Sequence, residues 1–267
     1  MKQSLSIVRD VFVAPPSAFL VLTELPRALA ELGSLPLAAP LLMKAPRGDG
    51  HPVLVLPGLS TTDRSTGLLR RYLSALGYDV HAWELGRNLG ARAIGLQGEK
   101  LIARLEKIHT ATDRKVTLVG HSLGGIIARQ LSRRRPDMVR QIVTLGSPFA
   151  GDPRSTNVWK LYEYLSGQRV SDPDIVAQLL ESHDAPPVPS TAIYSKGDGI
   201  VAWQSCMEPE TPTTDNIEIP GSHVGLCVNP IALYAVADRL AQPLGQWKPF
   251  GRSGLRALFY RSAGDVH

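Results

Sequence analysis

Residues 116–135 read Val-Thr-Leu-Val-Gly-His-Ser-Leu-Gly-Gly-Ile-Ile-Ala-Arg-Gln-Leu-Ser-Arg-Arg-Arg, and Pro136 closes the run. The apolar or β-forming residues Val116 to Val119 suit a strand buried on both faces. Ile126, Ile127 and Leu131 recur at helical spacing, and Pro136 stops a helix. The chain must therefore turn from strand into helix within Gly120–Gly125. Gly120 and Gly124 flank that turn because a side chain at either place would meet neighbouring backbone. A strand, a tight turn and a returning helix form the repeating unit of a mostly parallel sheet with helices on both faces.

The same rhythm extends in both directions. Upstream, Val53 to Leu56 is a short, wholly apolar strand. Thr66 to Leu76 is an amphipathic helix ended by Gly77, and Tyr78 to Leu85 is a further strand. Glu99 to His109 is helical, with Leu101, Ile102, Leu105 and Ile108 facing inward. Downstream, Gln141 to Leu145, Thr191 to Ser195 and Ile217 to Ile219 read as strands. Asn229 caps a last helix with Pro230 at its first position. Residues 148–190 interrupt the alternation with two expected helices, Thr156 to Leu165 and a second beginning after Ser171, and read as a helical lid or cap insertion. Residues 1–48 are an N-terminal extension, 49–243 the α/β core with its insertion, and 244–267 a polar, basic tail expected to be loosely attached.

Within the extension, Leu22, Leu25, Leu29 and Leu32 recur at helical spacing over Val21 to Leu32. The simpler reading is a helical segment packed on the core. The sharper one is an apolar arm that makes weak contact with a membrane or lipid surface, or that covers the active site.

The chain has 267 residues, 43% of them hydrophobic and 20% charged, with a net charge of +5. That suits a folded domain with a sizeable core. The cations are scattered, and the densest run, Arg133 to Arg135, ends a helix, where positive charge complements the dipole. No basic stripe marks a nucleic-acid partner. Pro15 and Pro16 interrupt the apolar stretch Val11 to Leu22, and charged residues follow before any cleavage-like small residues, so a cytoplasmic location is the expectation. Cys206 and Cys227 fit neither a zinc spacing nor a CxxC motif. Both follow chemically interesting segments, which leaves a disulfide and two buried thiols open.

The chemistry centres on Ser122. A sharp strand-to-helix turn strains the serine backbone and pushes its hydroxyl into the open. The free N–H groups of the following helix then face any negative charge that develops there. A serine hydroxyl needs an adjacent base, and the base needs an orienting acid. Asp198, in Ser195-Lys196-Gly197-Asp198-Gly199, and His223, in Gly221-Ser222-His223-Val224-Gly225, each follow a strand, in the order serine, acid, histidine. The rival acids Asp172, Asp174 and Asp184 fall in the insertion, and Asp215 precedes its strand. His51, His81 and His109 come too early, and His183 precedes Asp198. An oxyanion would be met by the backbone N–H groups of Leu123 and of Leu59, in the loop Pro57-Gly58-Leu59-Ser60. Phe149, Val158, Trp159 and Tyr162 are candidates to line a substrate pocket, although aromatics at helical spacing also serve as core.

Through Val53–Leu59, Gly120–Gly125, Gly197–Val201 and Gly221–Leu226, the chain from about His51 to Gln242 resembles the α/β-hydrolase superfamily, in its bacterial lipase and esterase branch. It departs from similar lipases at Pro57-Gly58, where these often carry His-Gly. The resemblance implies a doubly wound, eight-stranded, mostly parallel sheet. It also implies hydrolysis of short-to-medium acyl esters through an acyl-enzyme, with no metal and no cofactor. Other enzymes on the same triad (thioesterase, acyltransferase, amidase) and a non-catalytic binding protein of this fold are the alternatives, because a fold does not fix a function.

Overall fold

The structure, a computed structural model, describes residues 13–261; the first residues of the N-terminal extension and the last of the tail lie outside the described residues. The elements follow in order as α1 (Ala18–Leu22), α2 (Glu24–Leu42), β1 (Pro52–Leu56), α3 (Gly67–Ala75), β2 (Asp79–Ala82), α4 (Ala91–Ile94), α5 (Glu99–Thr112) and β3 (Val116–His121). Then come α6 (Leu123–Arg134), β4 (Val139–Leu145), α7 (Trp159–Ser166), α8 (Pro173–His183), β5 (Ser190–Tyr194), β6 (Thr214–Glu218) and α9 (Pro230–Leu240), with short 3₁₀ turns at Pro153–Ser155, Trp203–Cys206 and Gly254–Leu258.

The strands form one six-stranded sheet in the order β2-β1-β3-β4-β5-β6, with every neighbouring pair parallel. Alternation along each strand splits the core into two layers. Val53, Val55, Val119 and Val143 face one layer with Leu69 and Leu73 of α3 and much of α9. Leu54, Leu56, Leu118 and Ile142 face the other with Leu101 and Leu105 of α5 and Ile127 and Leu131 of α6. The sheet is thus doubly wound, and its strand C-termini share one edge, where ligands bind in such folds.

Two expectations change. Eight strands were implied and six are found among the described residues, all parallel. The residues before β1 form α1 and α2, the helical extension that their leucine spacing predicts. Helix α2 runs through Pro36 and Pro40, which cannot donate to the preceding turn, and packs on α9. The tail is not loose as far as Arg261. Phe250 and Tyr260 are 3% and 6% exposed, their rings 4.7 Å apart, and Arg252 pairs with Asp215 at 2.8 Å. Arg261 also forms a bridge with Glu218 at the β6 edge. The two cysteines are buried free thiols, and burial pushes the Cys227 thiol up to about 12.

Candidate active site

The turn between β3 and α6 has the strain anticipated for it. Ser122 sits at φ 53° and ψ −123°, a backbone conformation that costs a non-glycine residue on the order of 1–3 kcal/mol. Its N–H donates to Leu145 O at the end of β4, 2.8 Å away. A Cβ on Gly120 would strike the Gly125 backbone, and one on Gly124 would strike the Leu56 carbonyl. The strain is therefore held by close backbone packing that only glycine permits.

Asp198 and His223 lie on the loops after β5 and β6, and both are buried. His223 Nδ1 is 2.6 Å from Asp198 Oδ2, so Nδ1 carries the hydrogen and Nε2 keeps its lone pair. The other carboxylate oxygen, Asp198 Oδ1, accepts from the N–H groups of Ile200 and Val201 at 2.8 and 2.7 Å, which fixes the acid in one rotamer. Burial pulls the imidazole pKa down. The charge of Asp198, the hydrogen bond to it and the more distant Glu24 carboxylate outweigh burial, so the pKa lies above the ordinary histidine value. Ser195 Oγ donates to Gly221 O at 2.7 Å and ties the acid loop to the histidine loop.

Gly146, next after Leu145, lies against the His223–Asp198 pair. A Cβ built on it would lie 3.1 Å from His223 Nδ1 and 3.2 Å from Asp198 Oδ2. His121, next to Ser122, completes the contact. Its ring lies 5.0 Å from that of His223, and its Nε2 donates to His223 O at 3.0 Å. Burial, helped by the neighbouring His223 charge, lowers the His121 pKa to about 4, so the ring is a neutral spacer between the two loops.

Leu59 and Leu123 border the same cleft as Ser122. Among the described residues neither backbone N–H has an acceptor. The Leu59 loop is braced by Asn88, a fully buried residue that sequence reasoning missed. Asn88 Nδ2 donates to Pro57 O at 2.7 Å, and Asn88 O accepts from Ser60 N–H at 2.7 Å. No spacing pattern marks a lone buried asparagine, so its role emerges only once the loops meet.

From Ser122 the cleft runs beneath α7 and α4 and encloses about 1060 Å³ of space open to solvent at its mouth. Val158, Trp159 and Tyr162 line it, with Ile94, Ile126 and Val170. Phe149 does not. It is 1% exposed and lies with the Arg129 guanidinium 3.8 Å over its ring, as part of a buried cluster in which Arg129 pairs with Glu208. An aromatic just after a strand can serve pocket or core, and the buried arginine claims this one.

Comparison with known proteins agrees with this architecture. Residues 96–179 match the model of the PGAP1-like alpha/beta domain family. A triacylglycerol lipase of Pseudarthrobacter phenanthrenivorans is 29% identical over 108 residues, which take in 38% of this chain and 34% of that protein. One from Burkholderia plantarii is 29% identical over 108 residues, with 38% and 30% covered. The matched stretch thus spans about a third of the length of these relatives. Among solved structures, Aspergillus fumigatus lipase B superposes with a TM-score of 0.58 at 21% identity over 73% of this chain and 54% of that one. The monoacylglycerol lipase of Paleococcus ferrophilus gives 0.53 at 15% identity over 74% and 96%. The chain has the α/β-hydrolase fold. Its sequence likeness is to the triacylglycerol lipases and the PGAP1-like domain just named.

Proposed function

We propose that the protein is a serine esterase that cleaves carboxylic esters of short-to-medium acyl chains through an acyl-enzyme, with Ser122, His223 and Asp198 as its triad. The observation that supports this reading is the strained Ser122 turn, hydrogen-bonded to Leu145 O, with the buried His223–Asp198 pair against the next residue, Gly146. His223 Nε2 takes the Ser122 proton as the hydroxyl oxygen attacks the ester carbonyl. Asp198 holds the tautomer that leaves Nε2 free and stabilises the imidazolium that forms. The N–H groups of Leu59 and Leu123 receive the oxyanion. His223 then hands the proton to the departing alcohol, and water repeats the two steps to release the acid. The apolar cleft lined by Val158, Trp159 and Tyr162 supports an acyl chain as the group bound. Contact with a lipid surface through the N-terminal segment fits the exposed Leu22, Leu25, Leu29 and Leu32, which α1 and α2 leave uncovered.

The test is hydrolysis of a chain-length series of p-nitrophenyl esters by wild type and by Ser122→Ala. The expected outcome is turnover with a short-to-medium optimum and a loss of at least ~10³-fold in the variant. Wild type inactive across the series, or a variant that keeps its activity, overturns the reading.

A further inference from the structure

Helix α2 carries Glu24, Arg27 and Glu31 on one face, and all three reach the loops that hold Asp198 and His223. Glu24 is 4% exposed, an unusual place for a carboxylate. Its Oε1 accepts the N–H of Gly199 at 2.7 Å and the N–H of His223 at 3.1 Å, and its Oε2 accepts the N–H of Val224 at 3.0 Å. Arg27 donates to Glu24 at 2.9 Å and to the carbonyls of Gly197 and Gly221 at 2.5 and 3.4 Å. Glu31 Oε1 accepts from Ser222 N–H at 2.7 Å. The backbone groups engaged belong to residues 197, 199 and 221–224, which are His223 itself and residues within two positions of Asp198 or His223. Both helices lie so close to the loops that a Cβ on Gly199 would strike the Leu20 carbonyl of α1, and one on Gly225 would strike the Glu31 carboxylate of α2.

We propose that Glu24, supported by Arg27 and Glu31, is a positioning residue that clamps the Asp198 loop to the His223 loop and sets the register of the catalytic pair. Packing alone does not explain this face. An apolar side chain could fill the same space without the cost of burying a carboxylate, whereas Glu24 satisfies three N–H groups drawn from two loops that must stay in register. The N-terminal segment is thus a working part of the site. Its Leu35, Ala38 and Leu42 pack into the layer shared with α9, and its charged face meets the two loops. Glu24 also presents negative charge to the imidazole. The other titratable or charged groups facing His223 are Asp198 from the β5 loop and His121 from the end of β3. Glu31 and Arg27 act one residue removed, through Ser222 and Gly221.

The inference rests on the triad reading above, and its test separates the two. Wild type, Glu24→Gln and Arg27→Ala are compared by the pH dependence of kcat/KM on a soluble p-nitrophenyl ester, by fluorophosphonate labelling of Ser122, and by NMR titration of the His223 ring. Glutamine keeps the size and one acceptor oxygen but removes the charge and turns an amide N–H towards Val224 N–H. Glu24→Gln is expected to lower kcat about 10–100-fold with KM within about twofold, and to move the His223 titration and the acid limb of the profile to lower pH. Arg27→Ala, at a partly exposed position, is expected to fold and to lower kcat in the same direction by a smaller factor. A folded Glu24→Gln whose His223 titration and profile coincide with wild type overturns the clamp. Should Glu24→Gln fail to fold, an Arg27→Ala protein with unaltered kcat overturns it instead. Wild type that fluorophosphonate does not label overturns the triad reading, and the clamp with it.

Discussion

Ser122, His223 and Asp198 show how single residues are tuned by what lies around them. The His223 pKa is held above the ordinary histidine value, and the imidazole must be neutral to accept the serine proton. Activity should therefore rise with pH through a midpoint above that of free histidine. Asp198→Asn removes the main force raising the pKa and also releases the tautomer. The midpoint of kcat/KM is expected to move to lower pH while kcat falls by about 10⁴. A pH–rate profile of the two proteins checks both. The sign for stability is the reverse of the sign for activity. A raised folded-state pKa means the pair stabilises the fold fully below the unfolded histidine pKa, and loses that contribution as pH rises through the folded value. Ser122 and Asp198 were readable as residues because their chemistry demands a local context, a glycine turn after a strand in one case and a polar loop after a strand in the other. Asn88 and His121 were not, since nothing local marks a residue whose partner lies 31 or 102 positions away.

At the scale of elements, the link between α6 and the cap is the sharpest case. Arg129, within α6, is fully buried and pairs with Glu208, while its other nitrogen donates to Ser182 O and Asp184 O at the end of α8, at 2.9 and 2.8 Å. Ser190 Oγ at the start of β5 donates to the same carboxylate at 2.5 Å. One guanidinium thus joins a core helix, the cap and the sheet. Burial raises the Glu208 pKa against the pull of Arg129, so the carboxyl is poorly placed to stand alone. Arg129→Met is expected to destabilise by about 3–5 kcal/mol, by leaving Glu208 unpaired. Arg129→Met with Glu208→Leu should recover most of that loss, because two apolar side chains need no partner. Urea unfolding of the single and double variants measures the difference. The amphipathic helices and apolar strands were legible from their periods. The strand starts were less so. Thr214, Asp215 and Asn216 are polar yet belong to β6, since Asp215 and Asn216 have partners in Arg252 and Glu208 that excuse their place beside the core.

For the molecule as a whole, the described segments before β1 and after α9 fold back onto the α/β body. Phe250 and Tyr260 close the apolar layer over α9, and Tyr260 Oη donates to Ile231 O at 3.0 Å. Arg256 anchors the segment through Asp238 and Tyr234 at 3.0 and 2.7 Å. Phe250→Ala is expected to cost about 3–5 kcal/mol of stability while the folded variant keeps the wild-type rate of Ser122 labelling, because the cavity opens in the layer with α9 and Phe250 does not line the cleft. Thermal unfolding together with fluorophosphonate labelling checks it. Among the described residues, no helix is long and apolar enough to cross a membrane.

The sequence by itself determined the alternation of strand and helix, the strained turn at Ser122, and the order in which serine, acid and histidine arrive. Each of these rests on hydrophobic period or on the steric demand of a few adjacent residues, and both are local properties. Only the tertiary structure decided that the sheet has six strands among the described residues, that Phe149 belongs to the core and not to the cleft, and that the tail is anchored as far as Arg261. It also decided that Glu24, in a segment readable as a mere extension, lies against the backbone of His223. Those outcomes depend on buried polar groups finding partners far away in the chain. A buried charge has to be satisfied by whatever the fold brings near it, and no reading of neighbouring residues supplies that distance.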